Sequence, residues 1–344
     1  MIGGGPMDNI IEVKGLMKTY GDIRAVDDVS FSVRRGEIFG FLGPNGAGKS
    51  TAIKILTTLI GKDSGSAAID GLDLETQAEE VRRIIGYASQ EVGVDNDLTA
   101  RENLYIQCRY YHISKEKSKQ KVEELLRTVN LVDAGDRKLS TFSGGMRKRL
   151  DLATALVSDP RILFLDEPTT GLDPKNRREL WDYIRGLNRQ GTTIFLTTQY
   201  MEEADQLADR LCIIDQGKIV AEGVPESLKA KMGGDTITLS FREGDPTPLT
   251  QAKEALAPVP GIKEIRECEL DDVCQNGLVL TIENGSSIMP QVVRVLDARG
   301  VEVERLTLST PTLDDVFLSL TGKTLKVHEE ANGEQKGMRR RRIR

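Results

Sequence analysis

A run of glycines ending in a lysine and a serine is the stretch of this 344-residue chain best suited to chemistry. Gly43, Pro44, Asn45, Gly46, Ala47, Gly48, Lys49 and Ser50 fit the spacing G-x-x-x-x-G-K-S, and Thr51 continues into an amphipathic segment. Glycines at these positions let successive backbone N–H groups turn toward one anion, and a following helix N-terminus adds partial positive charge. Lys49 is then placed to reach the β- and γ-phosphates of a bound polyphosphate, and Ser50 to ligate Mg2+. A second candidate is the apolar run Ile162-Leu163-Phe164-Leu165, which ends in two adjacent carboxylates, Asp166 and Glu167. A buried strand ending this way belongs beside a phosphate loop in an open parallel sheet. Asp166 suits the magnesium shell, and Glu167 suits a general base or anchor for an attacking water.

These residues need a scaffold, and the hydrophobic pattern supplies one. Residues 10–16, 25–33 and 37–44 read as strands, the last nearly continuous in apolar character and therefore buried. Residues 48–59 read as a helix, and 161–168 and 192–198 as further buried strands. Between Thr99 and Leu139 the chain is strongly mixed in charge, and Val122, Leu125, Leu126 and Val129 share one helical face. The expectation is an α/β domain over residues 7–232 with a largely parallel sheet and a helical subdomain at about 99–150.

The pattern changes after the Gly233-Gly234 pair to strand, helix, strand, strand, helix, strand, the split βαβ order of a ferredoxin-like module over 236–322. A short closing helix follows, with Pro311 expected near its first turn and Gly322 as its stop. Residues 1–6 read as an N-terminal extension, and the polar stretch 323–344, ending in MRRRRIR, as a disordered basic tail.

Composition narrows the possibilities. Net charge is −6, which argues against nucleic-acid binding through bulk charge. Two histidines, His112 and His328, make a histidine metal cluster improbable, and Cys108, Cys212, Cys268 and Cys274 read as scattered reduced thiols. No apolar stretch approaches the roughly 20 residues that span a bilayer.

Phe142-Ser143-Gly144-Gly145-Met146, ahead of the second strand motif, resembles the signature of the ATP-binding-cassette (ABC) ATPases. Other landmarks of that family match in order. Tyr20 stands where the family stacks adenine, and Gln90 matches the loop glutamine that touches Mg2+ and links to the membrane partner. Gly171, Leu172 and Asp173 match the loop that reads across the dimer interface. Gln199 departs, because the family usually has a histidine there that contacts the γ-phosphate. Glutamine donates an amide N–H but carries no proton or charge. Either it keeps the sensing contact and leaves the chemistry to Glu167, or the enzyme is slow or inactive.

With SGGMRKRLDLA, TTQY and the closing PTLDDVFLSLTG, the chain over about 7–322 is most similar to ATPases of daunorubicin/doxorubicin-resistance exporters. The resemblance implies ATP and Mg2+ as cofactors, with Ser50, Gln90 and Asp166 around the metal and Glu167 and Gln199 at the reacting end. In the family Ser143, Gly144, Gly145 and Asp173 face nucleotide held by a second copy. The implied partners are that copy, in a homodimer, and a separate polytopic permease at the cytoplasmic face of the membrane. The competing class is a soluble ABC ATPase acting on nucleic acid or ribosomes. Such proteins usually carry two cassettes or a long coiled coil, and this chain has one cassette and a short insertion.

Overall fold

Buried strands of branched and aromatic residues organise the molecule. The computed structural model describes residues 9–90, 93–242, 247–268, 276–283 and 285–322; the expected extension at 1–6 and tail at 323–344 lie outside them. The chain divides into two compact units, the first running to Gly223 and the second spanning Val224–Gly322.

In the first unit β3 (Ile38–Leu42) pairs in parallel with β8 (Thr193–Thr198) on one side and β9 (Arg210–Asp215) on the other. β7 (Ile162–Asp166) and β6 (Ile85–Ala88) extend the parallel sheet beyond β8, and β10 (Lys218–Gly223) closes the other edge antiparallel. Every residue of β3, β7 and β8 is buried, as their continuous apolar runs require. A second, antiparallel sheet holds β2 (Ile23–Arg34), β1 (Asn9–Tyr20), β4 (Ser64–Ile69) and β5 (Leu72–Asp73) in that order. Phe31 of this sheet meets Phe39, Phe41 and Phe195 of the first, with ring centroids 5.4–5.9 Å apart. The two sheets thus share one aromatic core, into which α1 (Lys49–Leu56) packs Ala52, Ile53 and Leu56.

The α1 helix is shorter than the expected 48–59, because Thr57 caps it and Thr58 turns to positive φ. α2 (Ala78–Ile84) leads directly into β6. The helical insertion comprises α3 (Ala100–Tyr110), α4 (Lys115–Thr128) and α5 (Gly144–Ala155). Thr99 and Glu102 form a reciprocal cap on α3, which sets where the insertion starts. Val122, Leu125 and Leu126 of α4 join Leu104 and Leu150 in a core shared with α6 (Pro174–Arg189). α7 (Met201–Leu207) lies between β8 and β9.

The second unit begins with α8 (Pro225–Ala230), followed by β11 (Asp235–Ser240), α9 (Thr247–Leu256), β12 (Ile262–Glu267), β13 (Gly277–Ile282), α10 (Gly285–Ala298) and β14 (Arg305–Ser309). Its sheet order is β12-β13-β11-β14 with all neighbours antiparallel, the ferredoxin-like arrangement expected from the element order. α11 (Leu313–Thr321) ends at Gly322, which takes the left-handed conformation expected of it. Pro311 stands just before the Thr312 N-cap, near the first turn, and Thr312 and Asp315 close the reciprocal cap there. The division after Gly223 lies upstream of the Gly233-Gly234 pair. A Cβ at Gly234 would fall 1.8 Å from the Ile282 carbonyl oxygen, so this glycine serves close strand approach within the second unit.

Cys108 and Cys212 are free and buried. Cys268 is disulfide-bonded, so the expectation of reduced thiols throughout does not hold there; Cys274 lies outside the described residues.

Candidate functional site

The loop after β3 has its shape because glycine is obligatory at two positions. A Cβ at Gly43 would sit 2.2 Å from the Ile214 carbonyl oxygen. Gly48 has φ 107°, and a Cβ there would sit 2.2 Å from the Ala25 carbonyl oxygen. The turn hands the chain to α1 with Lys49 already buried, at 4% exposure. Its ammonium donates to the Gly43 and Pro44 carbonyls at 2.9 and 3.0 Å and pairs with Glu167 Oε1 at 3.1 Å. Burial pulls the Lys49 pKa down, and Glu167 and then Asp166 oppose that shift. Pro44, Asn45 and Gly46 lie toward solvent, while Ala47 and Gly48 are buried.

Beside the lysine, Ser50 Oγ donates to Asp166 Oδ1 at 3.3 Å. Thr197 at the end of β8 also donates to Asp166 Oδ1, and its carbonyl and hydroxyl oxygens both accept from the Glu167 N–H at 3.1 Å. Glu167 has φ 48°, a conformation that costs a non-glycine residue about 1–3 kcal/mol and persists only where surrounding contacts enforce it. Thr170 Oγ1 donates to Glu167 Oε2 at 3.2 Å, and Gln199 Nε2 approaches the same oxygen at 3.5 Å. Lys49, Ser50, Asp166, Glu167 and Gln199 therefore converge at one end of the parallel sheet. Thr197 and Thr170 belong to the cluster and were missed from sequence. For Thr197 the signal was the pair of threonines that ends the buried run of β8.

A hydroxyl and one carboxylate fit Mg2+, which keeps several waters and takes its remaining ligands from phosphate oxygens. No group of three or more His, Cys, Asp or Glu suited to a metal occurs among the described residues. The donor set therefore suits a cation that arrives with a polyphosphate rather than one caged by protein.

The remaining expected residues stand around this cluster. Gln90 is exposed just after β6, and its carbonyl accepts from Lys148 Nζ at 2.6 Å. Among the described residues its side chain makes no hydrogen bond to Ser50 or Asp166, so α5 holds this loop. Ser143 is the N-cap of α5, its hydroxyl accepting from the Met146 N–H at 3.3 Å, and Ser143 and Gly144 are exposed. Gly145 is buried against Asn176, which donates to Asp173 Oδ2. Asp173 caps α6 by accepting from the Lys175 and Asn176 N–H groups at 3.0 Å, and these bonds, the one from Asn176 first, hold its pKa low. Tyr20 is half exposed at the end of β1, with Lys18 Nζ 5.7 Å from its ring centroid. The structure does not bring it into hydrogen bonding with the Lys49–Glu167 cluster.

Residues 26–170 match the ABC transporter family, and residues 223–321 match the DrrA1-3-like ATP-binding protein C-terminal domain. The chain is 43% identical to the daunorubicin resistance ATP-binding protein DrrA3 of Streptomyces coeruleorubidus, over 94% of this chain and 99% of that protein. It is 38% identical to the Nod factor export ATP-binding protein I of Burkholderia orbicola, over 92% of this chain and 98% of that protein. Among solved structures it resembles the ATP-binding cassette MJ0796, a dimer in a post-hydrolysis state bound to ADP and Pi. The TM-score there is 0.57 and the identity 28%, covering 62% of this chain and 98% of the cassette.

Proposed function

The chain belongs to the ABC transporter ATP-binding family, and from that premise we propose that it hydrolyses ATP to drive an exporter whose permease is a separate polytopic protein. The observation that carries the reading is the buried Lys49–Glu167 pair flanked by Ser50–Asp166 and Gln199. On this reading Lys49 and the N–H groups from Asn45 to Thr51 receive the phosphates, and Tyr20 carries the adenine. Ser50, Asp166 and Gln90 hold Mg2+, which when bound neutralises charge developing on the β- and γ-phosphates. Glu167 orients the attacking water and accepts its proton, while the Gln199 amide holds the γ-phosphate end in register. ADP and phosphate are the products.

Lys49 is shared. In the structure it neutralises Glu167; with nucleotide bound its charge faces the phosphates, and Glu167 is released to engage water. Ser143, Gly144 and Asp173 are exposed, as residues that face nucleotide held by a second copy of the chain must be, and Gly145 is buried behind them against Asn176. ATP drives this head-to-tail dimer closed only to the extent that it binds the closed form more tightly than the open one. No helix among the described residues is long and apolar enough to cross a membrane, which accords with a subunit docked at the cytoplasmic face. The relatives named for daunorubicin resistance and Nod factor export point to a drug-like, polyketide or lipidic cargo, chosen by the permease. The second unit serves dimer stability or regulation on this view. Removing residues 236–344 without effect on ATP binding, dimer formation or transport would refute that part.

The test of the nucleotide chemistry is size-exclusion analysis with MgATP. Glu167→Gln is expected to bind ATP and persist as a dimer, where the unaltered chain returns to monomer as ATP is consumed. A Glu167→Gln chain that hydrolyses ATP at the normal rate overturns the assignment.

A further inference from the structure

The α5 helix carries two charged side chains that the nucleotide chemistry does not use. Lys148 and Asp151 are three residues apart, so they project from one face of the helix. That face lies against the end of β6 and the loop that carries Gln90. Lys148 Nζ donates to the Gln90 carbonyl at 2.6 Å, and Asp151 Oδ1 accepts from the Gly93 N–H at 3.0 Å. Asp151 is 5% exposed, an expensive place for a carboxylate that makes one hydrogen bond to a backbone N–H. Burial raises its pKa to about 6, against the Gly93 bond and the nearby Lys148 charge. Lys148 is itself pulled down by burial, and the carboxylates of Asp151, Asp166 and Glu167 counter that shift. Two costly groups are thus placed to hold one loop at two points, on the helix that Ser143 opens.

We propose that Lys148 and Asp151 are positioning residues that fasten Gln90 and Gly93 to α5, so that the glutamine and the Ser143-Gly144-Gly145 turn move as one piece. The inference rests on the reading of Gln90 as a magnesium ligand and deepens it. A pull on Gln90 or Gly93 is transmitted to Ser143 through a lysine–carbonyl bond and a carboxylate–amide bond to α5. In the other direction, docking of Ser143 against nucleotide sets where Gln90 stands.

The test is the affinity of the full-length chain for ATP in Mg2+ and in EDTA, measured by equilibrium binding. Gln90→Ala is expected to remove most of the Mg2+-dependent gain. Lys148→Met and Asp151→Leu are each expected to reduce that gain about tenfold or more and to leave the affinity in EDTA unchanged, in line with the loss of one charge-assisted hydrogen bond. Asp151→Asn, which keeps an oxygen to accept the Gly93 N–H, retains the gain. In the Gln90→Ala background neither Lys148→Met nor Asp151→Leu has a further effect, whereas a general packing defect adds to it. Equal losses in Mg2+ and EDTA, or additive losses on top of Gln90→Ala, overturn the tether and leave Gln90 as a ligand. No change of the gain in Gln90→Ala itself overturns the reading of Gln90 and the tether with it. Should Asp151→Leu not fold, Lys148→Met alone decides.

Discussion

Lys49 and Glu167 face each other at 3.1 Å with only 4% and 5% of their surfaces exposed, so the ammonium and the carboxylate restrain one another. Thr197 bonds both the Asp166 carboxylate and the Glu167 backbone, and so ties these two neighbours to the end of β8. Each member of the cluster consequently has a separable expected effect.

Glu167→Gln keeps the size and hydrogen bonding of the side chain but removes its basicity. ATP turnover is expected to fall at least about 100-fold, the low end for general-base catalysis, with ATP affinity held within a few-fold. Single-turnover kinetics with labelled ATP check this.

Lys49→Met removes the ammonium proposed to contact phosphate and leaves the buried Glu167 without its ion-pair partner. Nucleotide binding is expected to be lost, and stability to fall by about 3 kcal/mol, the cost of breaking a buried pair from one side. Urea unfolding followed by circular dichroism measures the second effect independently of the first.

Asp151 predicts a dependence of stability on pH. Its folded pKa of about 6 lies above the ordinary aspartate value of 3.8, so the folded state holds a proton that the unfolded state has released. The stability from that proton is fully present below about pH 4 and is lost as pH rises through about 6. Asp151→Asn, which has no charge to desolvate, is expected to be more stable than the unaltered chain at pH 7.5 by up to about 3 kcal/mol. The difference should vanish near pH 4. Paired denaturant titrations at the two pH values read it directly.

Gln199 sits 3.5 Å from Glu167 Oε2, within reach of the reacting end. Gln199→Ala is expected to slow turnover about tenfold, while Gln199→His restores an N–H donor and keeps it near the original rate. If neither substitution alters hydrolysis, Gln199 is no part of the site.

Features set by local spacing could be read from the chain alone. The Gly43–Ser50 loop, the run into Asp166 and Glu167, and the apolar periods of α4 and the second unit each declare themselves within a dozen residues. Features set by distant pairing could not. Thr197 joins the site from 30 residues beyond Glu167, and Lys148 reaches back 58 residues to Gln90. The Gly233-Gly234 pair looks like a linker because glycine marks both flexible chain and close backbone approach. The structure shows approach to Ile282, with α8 already inside the second unit.

The central claim is that this ATPase works on a membrane permease. It is tested most directly by mild detergent extraction from the native host, isolation of the chain, and identification of what comes with it. The account predicts one polytopic membrane protein, released when the Gln90 loop is disrupted. Recovery from the soluble fraction, bound to ribosomes or nucleic acid, would contradict it.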